Sequence, residues 1–233
     1  MTFSRAGHRH LPTGLGILHE DRDILVASKP AGMLTMASDT EKIKTAYFAL
    51  TDYVRKGNPK SRNRIFIVHR LDRDTSGIVL FAKTEEAKRK LQDAWEQTTK
   101  HYAAVVHSTM DKPQGKIISY LVESGVHKVY ATQDSSKGKL SQTSWSVVRE
   151  KGGFTLLDVE LLTGRKHQIR VHMADIGHPV VGDKKYGQPG DRAPRLALHA
   201  RELVFHHPYS GAEVRIDAPI PVEMLRLVGS AKI

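Results

Sequence analysis

Residues 69–77 read HRLDRDTSG, and they lie between the apolar runs 65–68 and 78–82. Apolar runs of this length, flanked by polar residues, predict two buried strands. A short loop between buried strands projects a few side chains rigidly, as a catalytic site requires. The same residues also fit an ordinary charged turn in which Asp72 or Asp74 caps the backbone. The segment by itself predicts a strand, a loop and a strand, and it leaves the chemistry open.

Upstream of this segment, the sequence predicts two strands and a helix. Residues 16–29 have the pattern of a strand, an acidic turn and a second strand. The following turn, Lys29-Pro30-Ala31-Gly32, contains a proline that fixes φ and a glycine that permits a positive φ. The segment 39–55 predicts a helix, because one face of it carries Ala46, Leu50 and Val54.

Downstream, strands and helices interleave without the regular period of a doubly wound sheet. Thr84, followed by two glutamates, predicts the N-cap of a helix that extends to about Gln97. The other predicted elements are strands at 101–107 and 154–162, surface strands within 119–141, a helix at 166–176, a hairpin at 203–217 and a helical turn at 223–228. This order favours an α+β fold with a mixed or antiparallel sheet.

The chain has 233 residues and contains no linker, internal repeat or low-complexity segment. Its length suits one large domain or two small ones in close contact. Residues 1–15 lack an apolar stripe, so we expect a flexible basic arm there and a single domain over 16–233.

The charge of the chain indicates a polyanionic partner. Its 36 Lys and Arg residues exceed its 25 Asp and Glu residues, and the formal net charge is +11. Lysine and arginine bind phosphates by releasing condensed counterions, so nucleic acid is the simplest partner.

Several functional classes are excluded by what the sequence lacks. Without any cysteine, the chain has no disulfide, catalytic thiolate, iron–sulfur cluster or cysteine-containing zinc site. The pairs His167 with His172 and His206 with His207 lack the i, i+4 spacing of a helical zinc site, so we expect no metal. No apolar run approaches the roughly 20 residues of a membrane span, and no signal peptide is evident. We therefore expect a cytoplasmic protein that does not bind membranes.

Two further segments concentrate polar residues beside apolar strands. LLTGRKHQIRVH at 161–172 has the pattern of an anion-docking surface, although a solvated basic face would look the same. GDKKYG at 182–187 and RLALHA at 195–200 read by themselves as a turn and a strand.

Together with EDRDILVASKPAGMLT at 20–35, these segments resemble the RluA-type family of pseudouridine synthases. The resemblance covers about residues 16–222 in the family's order. It implies an isomerase that converts uridine to pseudouridine within RNA, with no cofactor and no metal. It also implies a central mixed, largely antiparallel sheet with flanking helices and a cleft. Since little sequence precedes residue 16, we expect a member without the N-terminal S4-like RNA-binding domain.

The resemblance also implies roles for individual residues. Asp72 matches the catalytic aspartate, whereas Asp74 occupies a variable position. An ionised carboxylate at that place can attack C1′ or take a proton from C2′, and the sequence does not choose between these routes. Arg165 matches the basic partner of the aspartate, and its planar fork suits a carboxylate. Tyr102 matches a tyrosine that stacks on the uracil.

Two more residues of the first motif are expected to bind substrate. Arg70 corresponds to a residue that fills the gap left by the everted nucleotide, and His69 precedes it. Eversion is required because the reaction at C1′ cannot proceed within a stacked helix. Stem-loops of tRNA or ribosomal RNA are the expected targets, and we expect the enzyme to be a monomer. Basic residues at 56–64, 137–139 and 165–170 are candidates for gripping the RNA.

Two other functions remain possible at this point. A non-catalytic RNA-binding or ribosome-assembly protein could retain the same fold. A hydrolase that used Asp72 and Asp74 as a pair is the poorer alternative, because residues this close on one loop seldom flank a bond from opposite faces.

Overall fold

The computed structural model describes residues 11–56, 58, 60–125 and 128–230. Residues 1–10 of the predicted basic arm lie outside this part of the chain. The strands are β1 (Gly16–Glu20), β2 (Ile24–Lys29), β3 (Phe66–Ile67), β4 (Ser76–Ala82), β5 (Thr99–His107), β6 (Gln114–Glu123), β7 (Val129–Thr132), β8 (Lys139–Lys151), β9 (Phe154–Leu161), β10 (Leu198–His206) and β11 (Glu213–Asp217). The helices are α1 (Ala46–Arg55), α2 (Glu85–Asp93), α3 (Gln168–Asp175) and α4 (Val222–Leu227), with a 3-10 helix at Trp95–Gln97.

The chain divides into two compact units. The first unit comprises residues up to 98 together with 204–218, and the second comprises 99–203 together with 219 onward. The single domain predicted for 16–233 stays a prediction. No helix in the described ranges is long and apolar enough to cross a membrane.

In the first unit, β4 is the central strand. Strands β1, β2 and β4 lie in that order and pair antiparallel, and β3 pairs antiparallel with the end of β4. Every residue of β4 is buried, as expected for a strand covered on both faces. An isolated parallel bridge joins Leu34 to Thr45. The loop at 68–75, which contains Asp72, leads directly into this buried strand.

Helix α1 begins later than the sequence pattern predicts. We expected a helix from residue 39, but 39–45 are not helical and the helix starts at Ala46. The side chain of Thr45 accepts a hydrogen bond from the backbone N–H of Phe48 and forms the N-cap. Glu41 accepts the N–H groups of Ile43 and Lys44, which fixes a turn before the helix. The predicted core face is confirmed, because Ala46, Leu50 and Val54 are buried.

The N-cap predicted at Thr84 is confirmed. Its hydroxyl accepts the backbone N–H of Ala87, and α2 follows from Glu85 to Asp93. Residues 95–97 form the 3-10 helix rather than a continuation of the α-helix. The predicted hairpin is also confirmed, since β11 pairs with β10.

In the second unit, five strands lie in the order β5, β9, β8, β6 and β7. All four neighbouring pairs are antiparallel. Helix α3 packs on one face of this sheet, where Val171 joins Leu121 and Val129 in a buried apolar cluster. The α+β class with largely antiparallel strand pairing is therefore confirmed.

Candidate active site

The Asp72 loop connects β3 to β4 in the first unit. Leu71 and Thr75 are buried, Asp72 is half-buried, and Arg73 and Asp74 are exposed. The buried flanking side chains hold the loop at both ends. Asp72 is therefore presented at the protein surface from a fixed backbone, whereas Asp74 projects into solvent.

Thr35 fixes the residue immediately before Asp72. Its hydroxyl donates a hydrogen bond to the carbonyl of Leu71 over 2.9 Å and accepts the N–H of Leu71 over 3.1 Å. Thr35 is itself only 2% exposed. A single buried hydroxyl thus satisfies both backbone groups of Leu71 and fixes the orientation of the chain as it enters Asp72.

Lys29 fixes the residue immediately after Asp72. Its side chain is 1% exposed, and its ammonium donates to the carbonyls of Pro30, Met33 and Arg73 at 3.0, 2.8 and 3.1 Å. The N–H of Gly32 also donates to the carbonyl of Arg73. The turn at 29–32 therefore positions the Asp72 loop, a role that the sequence pattern did not indicate.

Replacing Lys29 with Met should destabilise the protein by about 3 kcal/mol, because three buried carbonyls would lose a charged donor. Urea denaturation measures the effect as a lower midpoint with an unchanged slope. The matched control is Lys88→Met on α2, which removes a lysine of the same unit that is not buried. Equal stabilities of the two variants would contradict the role assigned to Lys29.

The two residues that begin the motif differ in exposure. The ring of His69 stacks on Trp95 with centroids 4.4 Å apart, and its Nε2 accepts the N–H of Leu80 over 3.0 Å. The ring proton of neutral His69 therefore lies on Nδ1. These contacts anchor the start of the loop to β4 and to the 3-10 helix, and the expected contact of His69 with substrate stays a prediction. Arg70 is exposed beside it, so its guanidinium is accessible to RNA.

The other two predicted catalytic residues lie in the second unit. Tyr102 is a residue of β5, is 9% exposed and pairs with Val159 of β9. Arg165 is exposed and lies between β9 and α3. Its guanidinium Nε donates to the carbonyl of Leu140 over 3.2 Å. The three residues implied by the resemblance are thus carried by three separate parts of the chain.

Gln168 holds the backbone of the Arg165 segment. Its side-chain oxygen accepts the hydroxyl of Thr163 and the N–H of Arg165, at 2.9 and 3.0 Å. Its amide nitrogen donates to the carbonyl of Gln142 and to Thr143, both at 2.9 Å. All four hydrogen-bonding positions of this buried amide are used. Gln168 therefore joins the Arg165 turn to strand β8.

Arg170 and Asp183 join the second motif to the third. Two parallel hydrogen bonds of 2.7 and 2.8 Å link the guanidinium to the carboxylate, and both side chains are buried. Asp183 also accepts the N–H groups of Lys185 and Tyr186. Burial alone would raise the pKa of Asp183, but Arg170 and the N–H groups of Lys185 and Tyr186 together outweigh burial and lower the pKa below its usual value. This pair fixes α3 against the 182–187 turn.

The third motif closes through a tight backbone contact. Gly182 has a φ of 75°, and a Cβ atom there would lie 1.9 Å from the carbonyl oxygen of Arg195. Only glycine permits this approach, which brings the GDKKYG and RLALHA segments together. Tyr186 of the same turn accepts the N–H of Val129 and hydrogen-bonds with Nδ1 of His167 at 2.8 Å.

His172 is a buried histidine in the second motif. Its Nε2 lies 2.9 Å from the hydroxyl of Ser119, and its Nδ1 lies 2.8 Å from that of Thr143. Burial lowers the pKa of His172 from 6.5 to about 4. The neutral ring is therefore part of the folded structure at neutral pH.

Protonation of His172 should destabilise the fold in acid. Because its pKa is about 4 in the folded protein, against an ordinary value of 6.5 for the unfolded chain, the unfolded chain binds the proton first. Stability should fall as the pH decreases from 6.5 to 4, by up to about 3 kcal/mol from this group. Urea denaturation of wild type and His172→Gln across this range measures the difference. Parallel pH profiles would contradict the assignment.

One group of side chains has the chemistry of a cation site. Asp21, Asp23 and His207 each offer a ligand atom, and these atoms lie within 4.8 Å of one another. However, Nδ1 of His207 accepts the N–H groups of Tyr209 and Ser210, which places the ring proton on Nε2. That nitrogen lies 3.3 Å from Asp21 Oδ2. The group is explained as a hydrogen-bonded cluster, because a cation at Nε2 would have to displace this proton.

Comparison with known proteins identifies the family of this chain. The family model for RNA pseudouridylate synthase matches residues 23–175. The chain is 35% identical to ribosomal large subunit pseudouridine synthase D of Nitrosomonas europaea, over 97% of this chain and 68% of that protein. It is also 35% identical to the dual-specificity RNA pseudouridine synthase RluA of Vibrio cholerae, over 84% of this chain and 79% of that protein.

Solved structures show the same fold. The human RNA pseudouridylate synthase domain containing 4 matches with a TM-score of 0.76 at 22% identity, over 91% of this chain and 92% of that one. The human RNA pseudouridylate synthase domain containing 1 matches with a TM-score of 0.72 at 26% identity, over 89% and 84%. The resemblance in the motifs is therefore confirmed, and this chain belongs to the RNA pseudouridylate synthase family.

Proposed function

We propose that this protein isomerises specific uridines to pseudouridine in stem-loops of tRNA, of ribosomal RNA or of both, with Asp72 as the catalytic group. Family membership supports an isomerase that acts on RNA. The names of its relatives refer to the large ribosomal subunit and to dual specificity, which supports structured RNA as the target. The net charge of +11 suits a phosphate-rich substrate.

The observation that carries the proposal is the way the first unit presents Asp72. Its carboxylate is half-buried on a loop whose two neighbouring residues are fixed by Thr35 and Lys29. A fixed backbone can hold a reactive group close to the geometry of the transition state. An ordinary solvated turn does not need two buried side chains to hold it.

The proposed reaction rearranges bonds within one nucleotide. The carboxylate of Asp72 promotes cleavage of the N1–C1′ bond, either by attack at C1′ or by removal of a proton from C2′. The released uracil rotates, and its C5 forms a bond to C1′. On the first route the bond between Asp72 and C1′ breaks as this bond forms, and on the second route Asp72 returns the proton to C2′. The proton on C5 is then lost to solvent and N1 gains one, so atoms and electrons balance without a cofactor.

Each of the other residues has a separate task. The resemblance assigns Arg165 the role of basic partner of the catalytic aspartate, and a planar guanidinium can bind a carboxylate through two parallel hydrogen bonds. The ring of Tyr102 stacks on the uracil, and its hydroxyl assists removal of the C5 proton. Arg70 fills the space vacated by the everted nucleotide, and His69 contacts the substrate beside it. The monomeric state and the cytoplasmic location stay predictions from the sequence.

Pseudouridine mapping in total RNA tests the proposed target. RNA from cells that contain the gene should show pseudouridine at one or more loop positions of tRNA or ribosomal RNA that remain uridine when the gene is deleted. Restoring the gene should restore these positions. Identical pseudouridine profiles in the two strains would contradict the proposal and favour a non-catalytic RNA-binding protein.

The Arg165→Lys variant should lose about 100-fold in kcat, because lysine keeps the charge but loses the planar fork that pairs with a carboxylate. The matched control is Arg192→Lys, which replaces an exposed arginine elsewhere in the second unit. Both variants are assayed by chromatography of the nucleosides from digested RNA. A lysine variant as active as the control would remove Arg165 from the mechanism.

A further inference from the structure

A groove of about 430 Å³ lies next to Arg165 in the second unit. Two basic segments that are distant in the sequence meet there: the turn before β8 and the segment before α3. The lining residues are Leu121, Val122, Glu123, Val129, Lys137, Gly138, Lys139, Gly164, Arg165 and Lys166. We propose that this groove, hereafter the basic groove, binds successive phosphates of the RNA strand that carries the target uridine. This inference rests on the proposed function.

The charges that line the basic groove favour a polyanion. Four of the lining residues are cationic, and only Glu123 is acidic. Glu123 is already paired with Lys166. Lys137 forms an exposed ion pair with Asp134 at 3.0 Å, and such pairs contribute little to stability. RNA phosphates can therefore replace that partner at small cost.

One cation of the basic groove has no acidic partner. The ammonium of Lys139 forms no hydrogen bond or ion pair within the part of the chain that the structure describes. Arg165, whose Nε donates to the carbonyl of Leu140, already has a proposed role with the catalytic aspartate, so it is not counted as a phosphate ligand. Lys139, together with Lys137, therefore points to a phosphate ligand.

The lysine turn is held rigidly against the sheet. A Cβ atom at Gly138 would lie 2.9 Å from Cβ of Tyr120 and 3.0 Å from the carbonyl oxygen of Leu121. Gly138 therefore packs directly on β6, which fixes the backbone of the two lysines on either side of it. A fixed backbone keeps both side chains next to the groove and lowers the entropy cost of binding a phosphate backbone.

The floor of the basic groove suits the sugar of a nucleotide. Leu121 and Val129 line the groove together with the cations and add apolar atoms to its wall. Small-ligand sites occupy roughly 300–1,000 Å³, so the groove has room for a nucleotide unit. Because Arg165 lines the same groove, a strand bound there would contact a residue to which the proposed function assigns a part in the reaction.

The test compares two double variants. One lacks two positive charges of the basic groove, and the other lacks two positive charges elsewhere on the second unit. The groove variant is Lys137→Ala/Lys139→Ala. The matched control is Lys112→Ala/Lys116→Ala, in which both lysines are exposed and Lys116 lies on the face of β6 opposite Leu121. Binding is measured in an Asp72→Asn background, with total RNA from gene-deleted cells as the probe, over a range of salt concentrations.

The groove variant should bind about tenfold more weakly at physiological salt. The slope of log affinity against log salt concentration should decrease in magnitude by about 0.7 for each phosphate of a single strand that the variant no longer binds. In the Asp72-containing enzyme, KM should rise while kcat stays unchanged. The control should have the RNA affinity and the salt slope of its parent. Lys137→Arg/Lys139→Arg should also retain the parental salt slope, because it keeps both positive charges. This result would show that the lost charge, rather than a folding defect, weakens RNA binding.

Two outcomes would overturn the inference, and they are distinguishable. If the wild-type enzyme makes pseudouridine on this RNA but the groove variant has the affinity and salt slope of its Asp72→Asn parent, the basic groove does not bind the strand and the proposed function stands. If the wild-type enzyme makes no pseudouridine on this RNA, the proposed function fails and the inference fails with it.

Discussion

Replacing Asp72 with Asn should lower kcat for pseudouridine formation by at least about a thousandfold. The amide has the size and shape of the carboxylate, but it can neither attack C1′ nor accept a proton from C2′. Because the loop is held by Thr35 and Lys29 through backbone groups of Leu71 and Arg73, the substitution should leave the fold intact. RNA affinity should change little, since phosphate contacts supply most of the binding.

Asp74→Asn is the matched control for this substitution. Asp74 is on the same loop and carries the same charge, but it is exposed, and the resemblance assigns it no role in the reaction. In single-turnover assays with saturating enzyme, Asp74→Asn should form pseudouridine at the wild-type rate. A near-normal rate for Asp72→Asn would exclude this carboxylate from the reaction, and an equal decrease in both variants would favour the two-aspartate hydrolase.

Breaking the buried ion pair in the second unit should have the largest effect on stability. In Arg170→Met, the carboxylate of Asp183 loses two hydrogen bonds of 2.7 and 2.8 Å while it remains buried. An uncompensated buried charge of this kind costs about 3–5 kcal/mol. Since the pKa of Asp183 is lowered by Arg170, the stabilising effect is present above the usual carboxyl range and is lost as the pH falls.

The double variant Arg170→Met/Asp183→Asn separates removal of the ion pair from removal of packing. The neutral amide can still accept the N–H groups of Lys185 and Tyr186, so the double variant should be more stable than Arg170→Met alone. Urea denaturation at neutral pH and near pH 4 measures both variants. If Arg170→Met had the stability of wild type, the pair would not fix α3 as described.

Local sequence signals predicted many elements correctly. Thr84 caps α2 because its hydroxyl accepts an N–H group three residues ahead. Both partners lie in one short segment, so the sequence alone predicts this interaction. Gly32 adopts the positive φ expected of the Lys-Pro-Ala-Gly turn. The predicted start of α1 was wrong. The side chains of Glu41 and Thr45 accept backbone N–H groups and so compete with helical hydrogen bonds before Ala46. The spacing of apolar residues contains no information about these side-chain hydrogen bonds.

The residues that support the site were not predictable from periodicity. Lys29 and Gln168 act on segments that the fold brings to them, as the bond from Lys29 to the Arg73 carbonyl illustrates. The only sequence signal for Lys29 is a charged residue at the end of an apolar strand, next to proline. The roles of Asp72, Tyr102 and Arg165 stay predictions from the family motifs, because their chemistry depends on a ligand rather than on local structure.

Release of tritium from RNA labelled at uridine C5 tests the central claim most directly. Isomerisation forms a carbon–carbon bond at C5, so the wild-type enzyme should release tritium to water while the base remains attached to its chain. Asp72→Asn should release none. The account would be contradicted if RNA kept its label after incubation with folded, RNA-binding wild-type protein. It would also be contradicted if the protein released free labelled uracil from the RNA.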